Sequence, residues 1–250
     1  MGSMVKVLVT GGYSSSLGVE VIHQLLHKNI QVVVLDELKE IKSIFPLEIV
    51  PYYRQKIDKS NVLKILLKEQ ANIIIHLKQE KIFESIKESF DASEANIAVT
   101  IDILEASAEA KVQKIIFPSS ISVYGKSQEI LTEASPLQPI QFEGISKKIE
   151  ENYIKNYHTL YGLTYTILRF ASIYEQGAEL KNGKKDYVYI QDAAAAIMAS
   201  LQQGDNEFFN ISSTAATIKE KHISIDKASR MLQWKPKIYP ELSENKIYND

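Results

Sequence analysis

The chain has 250 residues, 45% of them hydrophobic, and its 29 basic and 31 acidic side chains leave a formal charge of −2. That size suits one buried core with at most a small lobe, and the near-neutral charge gives no electrostatic footprint for nucleic acid. No apolar run approaches the roughly 20 residues that span a bilayer, no signal peptide is expected ahead of so early a first strand, and without cysteine there is no disulfide or thiol catalysis. The expected compartment is the cytosol.

Short β-branched runs alternate with amphipathic stretches, the pattern of an α/β fold with a doubly wound parallel sheet. Strands are predicted at Lys6–Val9, Gln31–Leu35, Glu48–Pro51, Asn72–His76, Lys114–Pro118 and Thr164–Arg169. Helices are predicted at Leu17–His27, Asn61–Lys68, Ser93–Ala108, Gly144–Leu160 and Gln191–Gln202, where apolar residues recur every three or four positions. The Lys/Glu-rich stretch Lys78–Glu94 reads as a solvated helix face with an apolar stripe of Ile82, Phe83, Ile86 and Phe90.

Between the first strand and the first helix stands Thr10-Gly11-Gly12-Tyr13-Ser14-Ser15-Ser16-Leu17-Gly18. A strand that ends in a glycine-rich turn and opens a helix points backbone N–H groups and the positive helix end at a pyrophosphate. The serines add hydroxyl donors, and the alternative is a serine-rich loop that binds nothing. Asp36 ends the second strand about 20 residues on, where an acid takes the adenosine ribose and disfavours a 2′-phosphate. No arginine is close in sequence to receive that phosphate, although Asp is also a common turn residue.

Further blocks follow in order: Ile74-Ile75-His76-Leu77, Asn96-Ile97, Ser119-Ser120-Ile121-Ser122-Val123-Tyr124-Gly125, Thr132-Glu133-Ala134-Ser135-Pro136, Leu168-Arg169-Phe170-Ala171-Ser172-Ile173-Tyr174, Lys185-Asp186-Tyr187 and Leu232-Gln233-Trp234-Lys235-Pro236. With the glycine turn they resemble the extended short-chain dehydrogenase/reductases, the NAD-dependent sugar epimerases and dehydratases, and UDP-glucose 4-epimerases in particular. The resemblance implies a Rossmann-type core over residues 1–170 and a reduced C-terminal substrate lobe over residues 171–250, interleaved with the last core elements. It also implies NAD as cofactor, held by Gly11, Gly12, Tyr13, Ser14, Ser15, Ser16, Leu17 and Gly18 of the turn and by Asp36, Asp58, Leu77, Lys78, Asn96, Ser119 and Lys147. Ser172 and Lys185 would contact a sugar-nucleotide or smaller hydroxyl or keto substrate, and homodimers would form through the helices at Ser93–Ala108 and Gly144–Leu160.

Three departures matter. The turn has one residue more than the family's pattern and a serine for its middle glycine. The stretch between Tyr174 and Lys185 is cut to ten residues. The family's Tyr-x-x-x-Lys reads Glu143-Gly144-Ile145-Ser146-Lys147. In the family a lysine-held tyrosinate exchanges the substrate hydroxyl proton beside a serine; here Ser120 and Lys147 match the serine and lysine. Tyrosine's reference pKa near 10 can be lowered to suit that task, whereas Glu143, with a reference near 4.3, is a weak base at neutral pH. Four residues before Lys147, Glu143 is also spaced for a surface ion pair. Tyr124, near Ser120, is a candidate substitute base or a packing residue. His23 and His27 have zinc-like spacing, but Gln24 stands where metalloproteases carry glutamate, and no metal is expected. Two readings stay open: an NAD-dependent enzyme with a Ser120–Glu143–Lys147 site, and a catalytically silent binding, regulatory or structural subunit.

Overall fold

The computed structural model describes residues 5–37, 50–78, 86–127, 129–178, 180, 186–213 and 223–239. The first strand, β1 (Lys6–Thr10), is followed by α1 (Ser16–His27), β2 (Gln31–Asp36), β3 (Tyr52–Arg54), α2 (Lys59–Glu69) and β4 (Ile73–His76). Next come α3 (Ile86–Glu109), β5 (Lys114–Ser120), a 3-10 turn at Ile121–Tyr124, α4 (Phe142–Tyr161) and β6 (Thr164–Phe170). The chain ends with β7 (Ser172–Tyr174), β8 (Tyr187–Tyr189), α5 (Ile190–Ala199), β9 (Glu207–Ile211) and α6 (Asp226–Met231).

Seven strands form one sheet in the order β3-β2-β1-β4-β5-β6-β9, and every pairing is parallel. Parallel strands buried on both faces read as continuous apolar runs, which is why Val7-Leu8-Val9 and Ile73-Ile74-Ile75 are so uniform. Their side chains alternate between two cores. Val7, Val9, Val32, Val34, Ile73 and Ile75 pack with Val21, Ile22 and Leu25 of α1 and with Ala193, Ala194 and Ile197 of α5. Leu8, Val33, Leu35 and Ile74 face the other way, onto Val62, Ile65 and Leu66 of α2, Ile103 and Leu104 of α3 and Ile154 of α4. Sequence order reverses between β1 and β4, and the crevice at such a reversal, beyond the strands' carboxyl ends, is where ligands bind in open α/β sheets.

Several elements depart from the sequence reading. The third strand starts after Pro51, which has no N–H for a ladder; Val34 instead donates to the Pro51 carbonyl at 2.9 Å. Residues 48 and 49 of the predicted strand lie outside the described residues. β9, for which no strand was predicted, pairs with β6 in the stretch where lobe and last core elements interleave, and β7 and β8, also unpredicted, form a separate two-stranded parallel sheet. Of the apolar stripe, Ile86 and Phe90 are exposed while Ser89, Ala92 and Ser93 are buried, so α3 turns small residues inward. Ile82 and Phe83 lie outside the described residues.

Candidate active site

The β1–α1 turn is sterically fixed. Gly11 has φ +70°, and a Cβ there would lie 2.5 Å from Cα of Lys78. A Cβ on Gly18 would lie 2.2 Å from the Gly12 carbonyl oxygen, so α1 can cross the turn only with glycine there. Ser15 caps α1, its hydroxyl accepting from the Gly18 amide at 3.1 Å, and Ser16 and Leu17 begin the helix. Tyr13 folds inward, its ring edge-on to Tyr52 at 5.6 Å.

The serine at the turn's middle-glycine position has a defined task. Ser14 donates its hydroxyl to Oδ1 of Asp36 at 2.5 Å, the Glu37 amide donates to the same oxygen at 2.8 Å, and the Tyr13 amide donates to Oδ2 at 3.0 Å. Asp36 is 0% exposed. Expected to face a ribose, it is closed into the turn because acceptor-only oxygens in the core draw whatever donors are nearest. The sheet also sets Arg54 opposite Asp36 in the β2–β3 register, so the arginine missing nearby in sequence is supplied by the fold.

Lys78 follows β4 against the backbone of Gly11, and its Nζ faces Glu37 Oε2 at 3.9 Å. As β1 lies between β2 and β4, this pair reaches across the mouth of the crevice. Leu77 is buried, its amide on the Thr10 carbonyl at 2.9 Å, and Asn96 is buried on α3. Asp58 caps α2 by accepting from the Asn61 amide at 3.0 Å, which accounts for it as a helix cap.

At the other end of the crevice, Ser120 caps the 3-10 turn by accepting from the Ser122 amide at 3.2 Å. A Cβ on Gly144 would lie 2.3 Å from the Ser122 carbonyl oxygen, so that glycine lets the first turn of α4 dock beside Ser120. Lys147 is buried. Its ammonium donates to the Pro118 carbonyl at 2.9 Å and lies 4.3 Å from the centre of the Phe117 ring. Burial pushes its pKa down, with Glu150, Glu143 and Glu151 opposing through their charges. The expected Glu143–Lys147 surface ion pair is therefore corrected: Glu143 is exposed in the first turn of α4, where a carboxylate suits the positive helix end, and the lysine points inward.

Two buried polar networks flank Lys147, and sequence reading missed both. In one, Ser119 and Arg169 Nε donate to Oε1 of Glu151 at 2.6 and 3.0 Å, and Arg169 Nη2 donates to Oε2 at 2.7 Å. Arg169 Nη1 donates to the Tyr124 hydroxyl at 2.9 Å, which itself donates to Asn210 Oδ1 at 2.7 Å. Tyr124 is 2% exposed and burial raises its pKa, so the candidate substitute base is a structural strut instead. Ser119 likewise serves Glu151. In the second network Thr10 Oγ1 and His76 Nδ1 are 2.8 Å apart, His76 Nε2 and Thr100 Oγ1 are 3.2 Å apart, and Thr100 donates to Glu150 Oε2 at 2.7 Å. Burial pushes His76 down to about 3, so the ring is neutral, donating from Nε2 and accepting at Nδ1. The visible signal for these networks was Glu150 and Glu151 at three and four residues past Lys147 on one helix.

Ser172 is exposed at the start of β7, its amide on the Asp186 carbonyl at 3.0 Å. Lys185 lies outside the described residues. His23 and His27 meet edge to face on the surface of α1 with their Nε2 atoms 2.8 Å apart, and among the described residues no group of three or more His, Asp or Glu side chains could hold a metal.

Comparison with known proteins agrees with this architecture. Residues 7–185 match the NAD dependent epimerase/dehydratase family. The chain belongs to that family. It is 28% identical over 208 residues to a UDP-glucose 4-epimerase of Lactobacillus helveticus, covering 81% of this chain and 62% of that protein. It is 28% identical over 181 residues to the human dTDP-D-glucose 4,6-dehydratase, covering 68% of this chain and 51% of that one. The chain thus spans between half and two thirds of the length of these relatives. A crystal structure of a UDP-glucose 4-epimerase from Thermotoga maritima, solved with UDP-glucose, superposes with TM-score 0.80 at 26% identity over 94% of each chain. A Brucella ovis UDP-glucose 4-epimerase crystallised with NAD shares the fold, with TM-score 0.79 at 18% identity over 93% of each.

Proposed function

We propose that this chain binds NAD in the crevice between β1 and β4 and acts on a sugar nucleotide, or on a smaller hydroxyl or keto substrate, through Ser120, Glu143 and Lys147. The carrying observation is the buried Lys147, kept one turn from Glu143 and anchored on the Pro118 carbonyl two residues before Ser120. Burying an ammonium costs several kcal/mol unless its surroundings repay it, and three carboxylates of α4 oppose that cost here. The cofactor's chemical features fit the residues present: a capped helix N-terminus and Lys78 for a pyrophosphate, and Lys147 with Ser120 for the reacting end.

When bound, the dinucleotide supplies the hydride acceptor. Ser120 would hold the substrate oxygen, Lys147 would stabilise negative charge on it, and Glu143 would take the proton. A glutamate is a poor acid at neutral pH, so turnover of UDP-galactose is expected to be slow or absent. The shortened stretch after Tyr174 favours a substrate smaller than a full sugar nucleotide, because fewer residues are available to grip it.

The second reading is a silent, binding or structural family member. It draws on the exposure of Glu143 and on Asp36 being closed into the turn. The test is reduction of bound NAD, followed by absorbance with a panel of sugar nucleotides and small hydroxy compounds. Reduction by one of them that disappears in Glu143→Gln supports the enzyme. NAD binding with no reduction by any compound supports the silent member.

The homodimer belongs to the same proposal. Ile145, Ile149 and Tyr153 recur every four residues on α4 and are 41%, 36% and 39% exposed, an apolar stripe suited to a second copy.

A further inference from the structure

We propose that Glu37, and not Asp36, contacts the adenosine ribose and decides between NAD and NADP. The proposal rests on the NAD reading above and concerns which side chain reads the cofactor's 2′ position.

Asp36 has three protein donors on its two oxygens and no exposed surface. Opening it would strip a hydroxyl and two amides from a buried carboxylate, at a cost a ribose hydroxyl repays only in part. Ser14, which stands in place of the turn's middle glycine, is what closes it.

Glu37 is the next side chain along the chain, and it is 38% exposed. It borders a cavity of about 650 Å³ at the carboxyl ends of β2 and β3, lined also by Arg54, Gln55 and Lys56. Its Oε1 accepts from the Ile57 amide at 2.8 Å, which fixes the carboxylate, while Oε2 is 3.9 Å from Lys78 Nζ, beyond hydrogen-bond range. An acceptor-only oxygen at the rim of a cavity suits the paired hydroxyls of a ribose. A 2′-phosphate would meet the same carboxylate and be repelled. Arg54 and Lys56 line this cavity too, and both are natural phosphate partners. Among the described residues lining it, Glu37 is therefore the group that rejects NADP, and its removal converts the cavity into a site for that phosphate.

The experiment is calorimetry of NAD and NADP with the wild-type chain, Glu37→Gln, Ser14→Ala and Asp36→Asn, with thermal melts to verify folding. The expected result is a wild-type preference for NAD that falls at least tenfold in Glu37→Gln, mainly through tighter NADP binding. Adding Arg54→Ala to Glu37→Gln should remove the NADP gain. Ser14→Ala, which keeps the Asp36 carboxylate should Asp36→Asn fail to fold, should leave the preference unchanged. An unchanged preference in Glu37→Gln, or one that shifts with Ser14→Ala, overturns this proposal alone. A folded wild-type chain that binds neither dinucleotide overturns both the proposal and the cofactor reading beneath it.

Discussion

Lys147 donates its ammonium to the Pro118 carbonyl across 2.9 Å, so the lysine of the altered motif is tied to the strand that carries Ser120 and not to Glu143, four residues before it on α4. The lysine and serine are thereby held in place whatever residue stands at position 143. Glu143→Tyr is expected to bring measurable hydride transfer from a sugar nucleotide to a chain that otherwise shows little or none. Absorbance of reduced NAD is the readout, with Tyr124→Phe in parallel. Restoration should be partial, since misplacing reacting groups by about 1 Å costs roughly a hundredfold in rate. Equal inactivity of Glu143→Tyr and wild type toward every substrate tried would show that residue 143 is not the missing group.

Tyr124→Phe tests the opposite kind of residue. The phenol accepts from Arg169 and donates to Asn210 in a buried network, so its loss should destabilise the fold by about 1–3 kcal/mol and leave NAD affinity within twofold of wild type. Urea denaturation and calorimetry read the two effects. Glu151→Ala should cost more, about 3–5 kcal/mol, because it strands the buried Arg169 guanidinium. A wild-type-like midpoint in Glu151→Ala would refute the network.

His76 sets a pH signature. Its folded pKa of about 3 lies below the ordinary value of 6.5, so between those values the unfolded chain binds the proton and the folded chain does not. The stability from the neutral ring is complete above about pH 6.5 and is lost as pH falls toward 3. The slope from this one group approaches about 1.4 kcal/mol per pH unit. Comparing denaturation midpoints of wild type and His76→Gln from pH 4 to 7 isolates it from the carboxylates. The same slope in both proteins would contradict a neutral buried ring.

The exposed stripe on α4 predicts a dimer. Ile149→Glu should shift the chain from dimer to monomer in sedimentation velocity, with an unchanged circular dichroism spectrum. A wild-type monomer at micromolar concentration would remove the basis for a subunit interface on this helix.

Sequence carried the frame of this fold because β1, β2 and β4 lie in the middle of the sheet, where burial on both faces leaves unbroken apolar runs. It was least informative at the edges. β9 is Glu207-Phe208-Phe209-Asn210-Ile211, with polar residues at two of five positions, and its pairing with β6 depends on where the chain returns in space. The third strand was misplaced across Pro51. In the site, Gly11 and Gly18 were legible because the turn's backbone leaves no room for a side chain there, and Ser120 and Lys147 because their blocks resemble the family's motifs. The direction of a side chain was not. Helical spacing predicted a surface pair for Lys147, but the Phe117 ring and the Pro118 carbonyl offered that side chain an interior path. Asp36 stands at the expected end of its strand, and only the folded turn reveals that Ser14 bends back to cover it.

That covering serine makes the turn self-sufficient. A turn whose buried carboxylate is already satisfied by its own chain needs no nucleotide to hold its shape, so the chain is expected to fold without the cofactor. The protein should emerge from expression as a stable, empty receptor, and its melting temperature should rise on loading only in proportion to the cofactor's affinity and concentration.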